Sequence, residues 1–307
     1  MAAYIARRLF FSIFVLWGAV TIVFVAMRIV PGDPALVILG PDATAEAVEE
    51  LRAQLGLDDP LLVQYVAYLG DAVRLDFGTS FRLGGDAMGH VLDRMPMTIQ
   101  LAVGAVVFAV TTGIALGVLA ALTANSVVDR VISVLTLVTQ SAPAFWIGLV
   151  LLLVFARAWN LLPSAGAGGL AHLILPAITL GLGFMAMVTR LTRSGLLEVI
   201  NEGYVQTARA KGLSERVVIF PHAIRNALIP IVTVIGLYFG TVLGGTVVIE
   251  TVFSWPGVGR LIADSIGFRD YGVVQAGIIT IAAIFVFVNL VVDVLYAFLD
   301  PRVRLGG

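Results

Sequence analysis

Cysteine is absent from this chain of 307 residues, which excludes disulfides, thiolate metal sites and cysteine nucleophiles. Charge is scarce: Asp, Glu, Lys and Arg make up 13% of the residues, where a globular chain carries about 25%. One lysine occurs, Lys211, and three histidines. No G-x-x-x-x-G-K-[ST] loop is present to hold a nucleotide, and neither H-E-x-x-H nor G-x-S-x-G appears. The apolar runs hold no serine–histidine or paired-aspartate set, so the chain alone is expected to catalyse no reaction. What is there is apolar: 59% hydrophobic residues and a mean hydropathy of +1.01. With lipid as solvent, each long run must satisfy its own backbone as a helix. The net charge of −1 says nothing about partners, because the charges sort by side of the membrane.

Six runs are long enough to span: about Leu9–Val30, Thr98–Thr123, Val131–Ala156, Leu173–Thr189, Ala227–Ile249 and Val273–Leu299. Arg7-Arg8 before the first run resembles a signal-peptide n-region. The run exceeds an h-region, however, and Arg28-Ile-Val-Pro-Gly-Asp33 is no small-residue cleavage site, so a retained anchor is expected. With the N-terminus inside, the cytoplasmic segments collect Arg7, Arg8, Arg130, Arg190, Arg193, Arg209, Lys211, Arg216, Arg225, Arg302 and Arg304. The short outer loops then keep Arg157, Arg260 and Arg269. This bias places both termini in the cytoplasm.

The outer segment Pro31–Pro96 is amphipathic and acidic. Thr44 is expected to cap a helix through about Leu55, with Gly56 past its end, and Asp59-Pro60 to open a second. Leu61, Leu62, Tyr65, Val66, Tyr68, Leu69 and Val73 form the apolar stripe of that second helix. Such a cap can pack on the membrane face, meet an extracytoplasmic partner, or do both. Gly113/Gly117 and Gly236/Gly240/Gly244 recur at four-residue spacing, which lets helices approach closely in lipid. The sharper reading has Gly240 and Gly244 lining a solute path. Pro143 interrupts the third run beside Thr139, Gln140 and Ser141, either as a kink or as a polar patch on that path. Asn289 and Asp293 share one face of the sixth run, where a carboxylate is expected to turn into the bundle.

The densest polar island lies between the fourth and fifth runs: Tyr204-Val-Gln-Thr-Ala-Arg-Ala-Lys-Gly-Leu-Ser-Glu-Arg216, then Phe220-Pro-His-Ala-Ile-Arg-Asn-Ala-Leu-Ile-Pro230. A short helix with Ala208, Ala210 and Gly212 on one face is expected to seat in a groove of a soluble protein. The plainer reading lays it on anionic headgroups, although Gly212 and Pro221 interrupt it early. This stretch resembles the cytoplasmic loop of permease subunits of ATP-binding-cassette importers, and more narrowly the first permease of dipeptide/oligopeptide uptake systems. Arg28-Ile-Val-Pro-Gly-Asp-Pro34, Gly56-Leu-Asp-Asp-Pro60, Asp76-Phe-Gly-Thr-Ser80, Leu175-Pro-Ala177, Glu250-x-Val-Phe-Ser-x-Pro-Gly-Val-Gly-Arg260, Arg269-Asp-Tyr271 and Asp300-Pro-Arg302 extend the likeness in family order.

The resemblance implies an all-α, six-helix polytopic permease of the type I importer fold (MetI-like). Its parts would be an N-terminal helix, 1–30, an extracytoplasmic helical cap, 31–96, and a five-helix core, 97–300, with a coupling loop at 190–226. It implies ATPase coupling through Thr207, Ala208, Arg209, Ala210, Lys211 and Gly212. The family's Glu-Ala-Ala, three residues, then Gly is matched at Ala208 and Gly212, with Gln206 where the acidic residue would stand. Gln140, Ser141, Gly240, Gly244 and Asn289 are the candidates for the translocation path. The implied partners are a second, homologous permease, two cytoplasmic ATPase subunits and an extracytoplasmic substrate-binding protein, in the bacterial inner membrane and without nucleic acid. No cofactor is expected in the chain itself, ATP and magnesium being held by the ATPases. The cargo would be a di- or oligopeptide or a related small solute. A stand-alone channel or secondary carrier is the alternative.

Overall fold

The computed structural model describes residues 2–29, 33–40, 42–224 and 227–299. Arg225, Asn226, Asp300, Arg302 and Arg304 lie outside the described residues, as do the side chains of His222 and Asp293. The described residues form an all-helical chain with one isolated bridge, Thr79 to Asp86. Contacts divide it into two units: Met1–Met97 with Pro256–Ala297, and Thr98–Trp255.

In the first unit, α1 (Ala2–Ile29) is followed by a cap of three helices, α2 (Pro34–Leu39), α3 (Ala45–Gln54) and α4 (Leu61–Arg74). The side chain of Asp33 caps α2, whose first residue is Pro34, and the Thr44 hydroxyl accepts the Ala47 N–H to cap α3. The sequence reading has α3 and α4 but not α2. Arg52 ties the cap together, reaching Asp33 at 2.6 Å and Asp58 at 2.8 Å. Burial raises the pKa of Asp33, but the Ala35 N–H and the Arg52 guanidinium outweigh it and hold that carboxyl below its ordinary value. The stripe of α4 divides. Tyr65 and Tyr68 pack on Phe24 of α1, while Leu61, Leu62, Val66 and Val73 remain exposed. Helices α12 (Val258–Phe268) and α13 (Tyr271–Leu299) complete this unit around Val91, Met95, Ile262 and Val274.

Helix α5 (Ala87–Leu122) begins eleven residues before the expected span, because Asp86 accepts the Gly89 N–H and starts the helix within the segment between the first two runs. Pro96 removes one intrahelical bond without ending it.

The second unit holds the rest of α5 and the helices that follow. The third run is not one helix: α6 (Val127–Ser141) stops at Ala142-Pro143, and α7 (Ala144–Leu151) continues through a π-helical turn, Leu152–Ala158. The two arms bend by 110°, far beyond a kink. Helix α8 (Leu170–Ile200) passes the expected end near Thr189 and carries Arg190 and Arg193 within it. Then come α9 (Gly203–Ala210), α10 (Glu215–Val217) with a π-helical continuation Val218–Ile224, and α11 (Ile229–Val252). Among the described residues four helices are long and apolar enough to cross a membrane, or five where the bent pair is taken as one span. At about 1.5 Å per residue, the 24 residues of α11 cover the remaining run.

Glycine spacing explains the join of α5 to α8. A β-carbon on Gly113 would stand 2.8 Å from that of Val188, and one on Gly117 2.5 Å from that of Thr192. Gly181 returns the fit, its missing β-carbon 2.6 Å from the Ala105 carbonyl oxygen. Phe184 of α8 stacks on Tyr238 of α11 at 3.7 Å. The Thr98 hydroxyl donates to the buried Glu250 carboxylate at 2.7 Å.

Candidate functional site

Helix α9 is short, and its end is built with care. Gly212 sits in the left-handed region, φ +77°, where a side chain is strained whatever the space around it. Its N–H donates to the Arg209 carbonyl at 2.9 Å, and the Leu213 N–H to the Ala208 carbonyl at 3.4 Å. These two bonds are a Schellman motif, which fixes the angle at which the chain leaves α9. Arg209 closes the same turn from outside, its Nε donating to Glu215 Oε1 at 2.7 Å and its Nη2 to Oε2 at 3.4 Å. A weaker contact runs from Arg209 Nη1 to the Ile200 carbonyl, 3.4 Å.

Val205, fully buried, anchors α9, which touches α8 and the π-helical turn. Ala208 is half-buried on that inner side, whereas Ala210, Lys211 and Gly212 are exposed. The small residues therefore do not share one face, correcting the sequence reading. A period of 3.6 sets Ala208 beneath Val205 and turns Ala210 outward. Thr207 donates to the Gly203 carbonyl at 2.8 Å, and Gln206 to the Asn201 carbonyl at 3.2 Å. The outward surface offers Tyr204, Gln206, Thr207, Ala210, Lys211 and Leu213. It is a compact knob of mixed polarity, closed at its end by the Schellman turn.

Helix α8, which leads into α9, is secured to α6 at one charged pair that sequence reasoning missed. Arg193 of α8 grips Asp129 of α6 with two parallel bonds, 2.6 and 2.7 Å, and Asp129 also accepts the Asn125 N–H. Their separation in sequence hid the pair; two opposite charges at the ends of consecutive apolar runs were the available signal. Glu215 was hidden for a related reason, its partner lying across a turn.

The path candidates are placed as follows. Gln140, exposed at the end of α6, accepts from Arg190 Nη2 at 2.5 Å. Ser141 donates back to the Leu137 carbonyl of its own helix. Gly240 is buried in α11, and Gly244 is exposed there with nothing within 4 Å of a would-be β-carbon. Asn289 belongs to the other unit and donates to the Phe285 carbonyl at 3.0 Å. Among the described residues no three His, Cys, Asp or Glu side chains gather to hold a metal ion.

Several helices long and apolar enough to cross a membrane, with a polar knob between two of them, define a class, the polytopic membrane protein. Residues 113–305 match the family described as binding-protein-dependent transport system inner membrane component, and residues 1–102 its N-terminal counterpart. The chain belongs to this family: it is an importer permease of the dipeptide/oligopeptide type and a multi-pass inner-membrane component. It is similar to the glutathione transport system permease protein GsiC of Escherichia coli K12, 43% identical over 99% of both chains, and to that of Salmonella choleraesuis at 42%. Among solved structures, the methionine transporter MetNI in an inward-facing form has a TM-score of 0.57 at 18% identity, covering 69% of this chain and 97% of the other. An amino acid ABC transporter with histidines gives 0.52 at 18% identity, covering 70% and 94%. At that identity the likeness is one of fold.

Proposed function

We propose that this permease forms, with a second and homologous permease, the path by which a peptide or peptide-like solute enters the cell. ATP, with magnesium, is held and hydrolysed by two cytoplasmic ATPase subunits, while this chain binds no cofactor and catalyses nothing itself. A substrate-binding protein delivers cargo from outside, where the exposed Leu62, Val66 and Val73 of the cap offer it an apolar face. Both termini and α9 lie in the cytoplasm. The naming of the relatives for glutathione favours a small peptide bearing negative charge.

One observation carries the coupling role: the exposed α9 knob, held by a Schellman turn at Gly212 and an ion pair from Arg209 to Glu215. Such a knob moves as one piece with α8 rather than bending, so ATPase closure becomes helix displacement. The N-terminal part, the cap and the five-helix core are then the anchor, the delivery face and the moving path. Gln140, Ser141, Gly240, Gly244 and Asn289 are the residues proposed for that path. The test is Ala210→Cys in the assembled transporter, with cysteines introduced across each ATPase surface. ATP-sensitive cross-linking supports docking, and a complete set that never links, in a complex that transports, opposes it.

A further inference from the structure

Arg190 and Arg193 leave α8 three residues apart, yet their partners on α6, Asp129 and Gln140, are eleven residues apart. That is ~16 Å of helix rise. Arg193 is neutralised at the loop end, whereas Arg190 reaches along α6 toward the middle of the bent run and meets only a neutral amide. Among the described residues no carboxylate pairs with it. Arg190 and Gln140 are both exposed on this chain, and an arginine at membrane depth that does not extend to the headgroups faces protein or water. Beside it, between α6 and α8, runs an open groove of ≈ 570 Å³, lined by Arg190, Arg193, Ser133, Thr136 and Ser194 and over most of its surface by Leu137, Met187 and Leu191. Its volume lies in the range of small-molecule sites, about 300–1,000 Å³.

We propose that this cleft is a carboxylate-binding subsite for cargo, with the Arg190 guanidinium as the recognising group. The proposal rests on the peptide-importer reading. A guanidinium presents a planar fork of N–H donors that a carboxylate fills bidentately, and every peptide with a free C-terminus carries a carboxylate. Gln140 takes one N–H and orients the fork, leaving the other donors for a ligand. The site is half of what cargo needs: it holds one charged end and leaves the side chains to apolar walls, consistent with a path that passes varied peptides.

The experiment uses the complete transporter in proteoliposomes, with second permease, ATPases and binding protein, and compares uptake of labelled trialanine and trialaninamide. Discrimination by the binding protein is common to all permease variants and cancels in the ratio of acid to amide. Arg190→Gln lowers that ratio roughly tenfold, the loss of one charge-assisted hydrogen bond. Arg190→Lys restores part of it. Gln140→Glu lowers it too, by filling the fork with a resident carboxylate, and keeps the test decisive if Arg190→Gln fails to assemble. An unchanged ratio in both variants overturns the proposal. So does a ratio that falls in vesicles containing phosphatidylglycerol but not in phosphatidylcholine alone, which assigns the cleft to a lipid headgroup. Uptake of neither peptide by the unaltered complex instead overturns the peptide-importer reading itself.

Discussion

Arg209 and Glu215 face each other across the turn that ends α9, joined at 2.7 Å and 3.4 Å through two guanidinium nitrogens. Both side chains are substantially exposed, so the pair contributes little to stability, about 0.2–1 kcal/mol for exposed pairs. Its consequence is geometric, because it fixes the knob to the helix that follows. Arg209→Ala is expected to leave thermal stability nearly unchanged while lowering ATP-driven uptake several-fold. Melting and uptake measured on one preparation check this, and equal losses in both point to a folding role.

Gly212 is limited by its backbone, not by space. Nothing lies within 4 Å of a would-be β-carbon, but φ is +77°. A left-handed L-residue costs about 1–2 kcal/mol, and asparagine tolerates the region better than valine. Uptake should fall in the order Gly, Asn, Ala, Val at position 212 with membrane insertion intact. Uptake by Gly212→Val equal to the unaltered chain removes the turn from the mechanism.

At Gly117 the limit is space. The β-carbon of any substitute would stand 2.7 Å from the Thr189 carbonyl oxygen, which cannot move aside without parting α5 from α8. Gly117→Leu should abolish recovery of folded protein, whereas Gly244→Ala, with open space around it, should be recovered at normal yield. Size-exclusion yield in detergent distinguishes the two.

Asp129 is buried while Arg193 is about one-third exposed. Asp129→Asn strands a partly covered guanidinium and should lower stability measurably, by less than the breaking of a fully buried pair. Replacing both residues by leucine and methionine should recover most of that loss. A detergent-unfolding series over the single and double variants measures it.

The cap has its own pH dependence. Because the Asp33 carboxyl is held below its ordinary value, its contribution is complete above the unfolded pKa of about 4 and fades as pH falls through the lower folded pKa. Amide exchange in α2 and α3 should therefore quicken on acidification from pH 7 toward pH 3, and less so in Arg52→Gln.

Much of the fold was legible because apolar runs and caps act locally. Thr44, Asp59-Pro60 and the glycines at 113 and 117 announce their helices and packing through chemistry a few residues wide. The 110° bend at Pro143 was underread, since proline marks a break without saying how far the arms swing. Helices α5 and α8 outran their apolar runs because polar turns stay helical when a capping Asp86 or an ion pair at Arg193 holds them. At the candidate site the loop was visible but its faces were not. Which alanine turns inward depends on Val205, whose burial is decided by α8 and the π-helical turn.

On the function proposed, the α9 knob receives motion from a nucleotide-hydrolysing neighbour. The most direct measurement is peptide uptake into proteoliposomes holding both permeases and the binding protein, with and without the two ATPases and ATP. ATP-coupled docking predicts uptake only when the ATPases and ATP are present, and its loss in Gly212→Val. Concentrative uptake by the permeases alone, at the same rate, would contradict it.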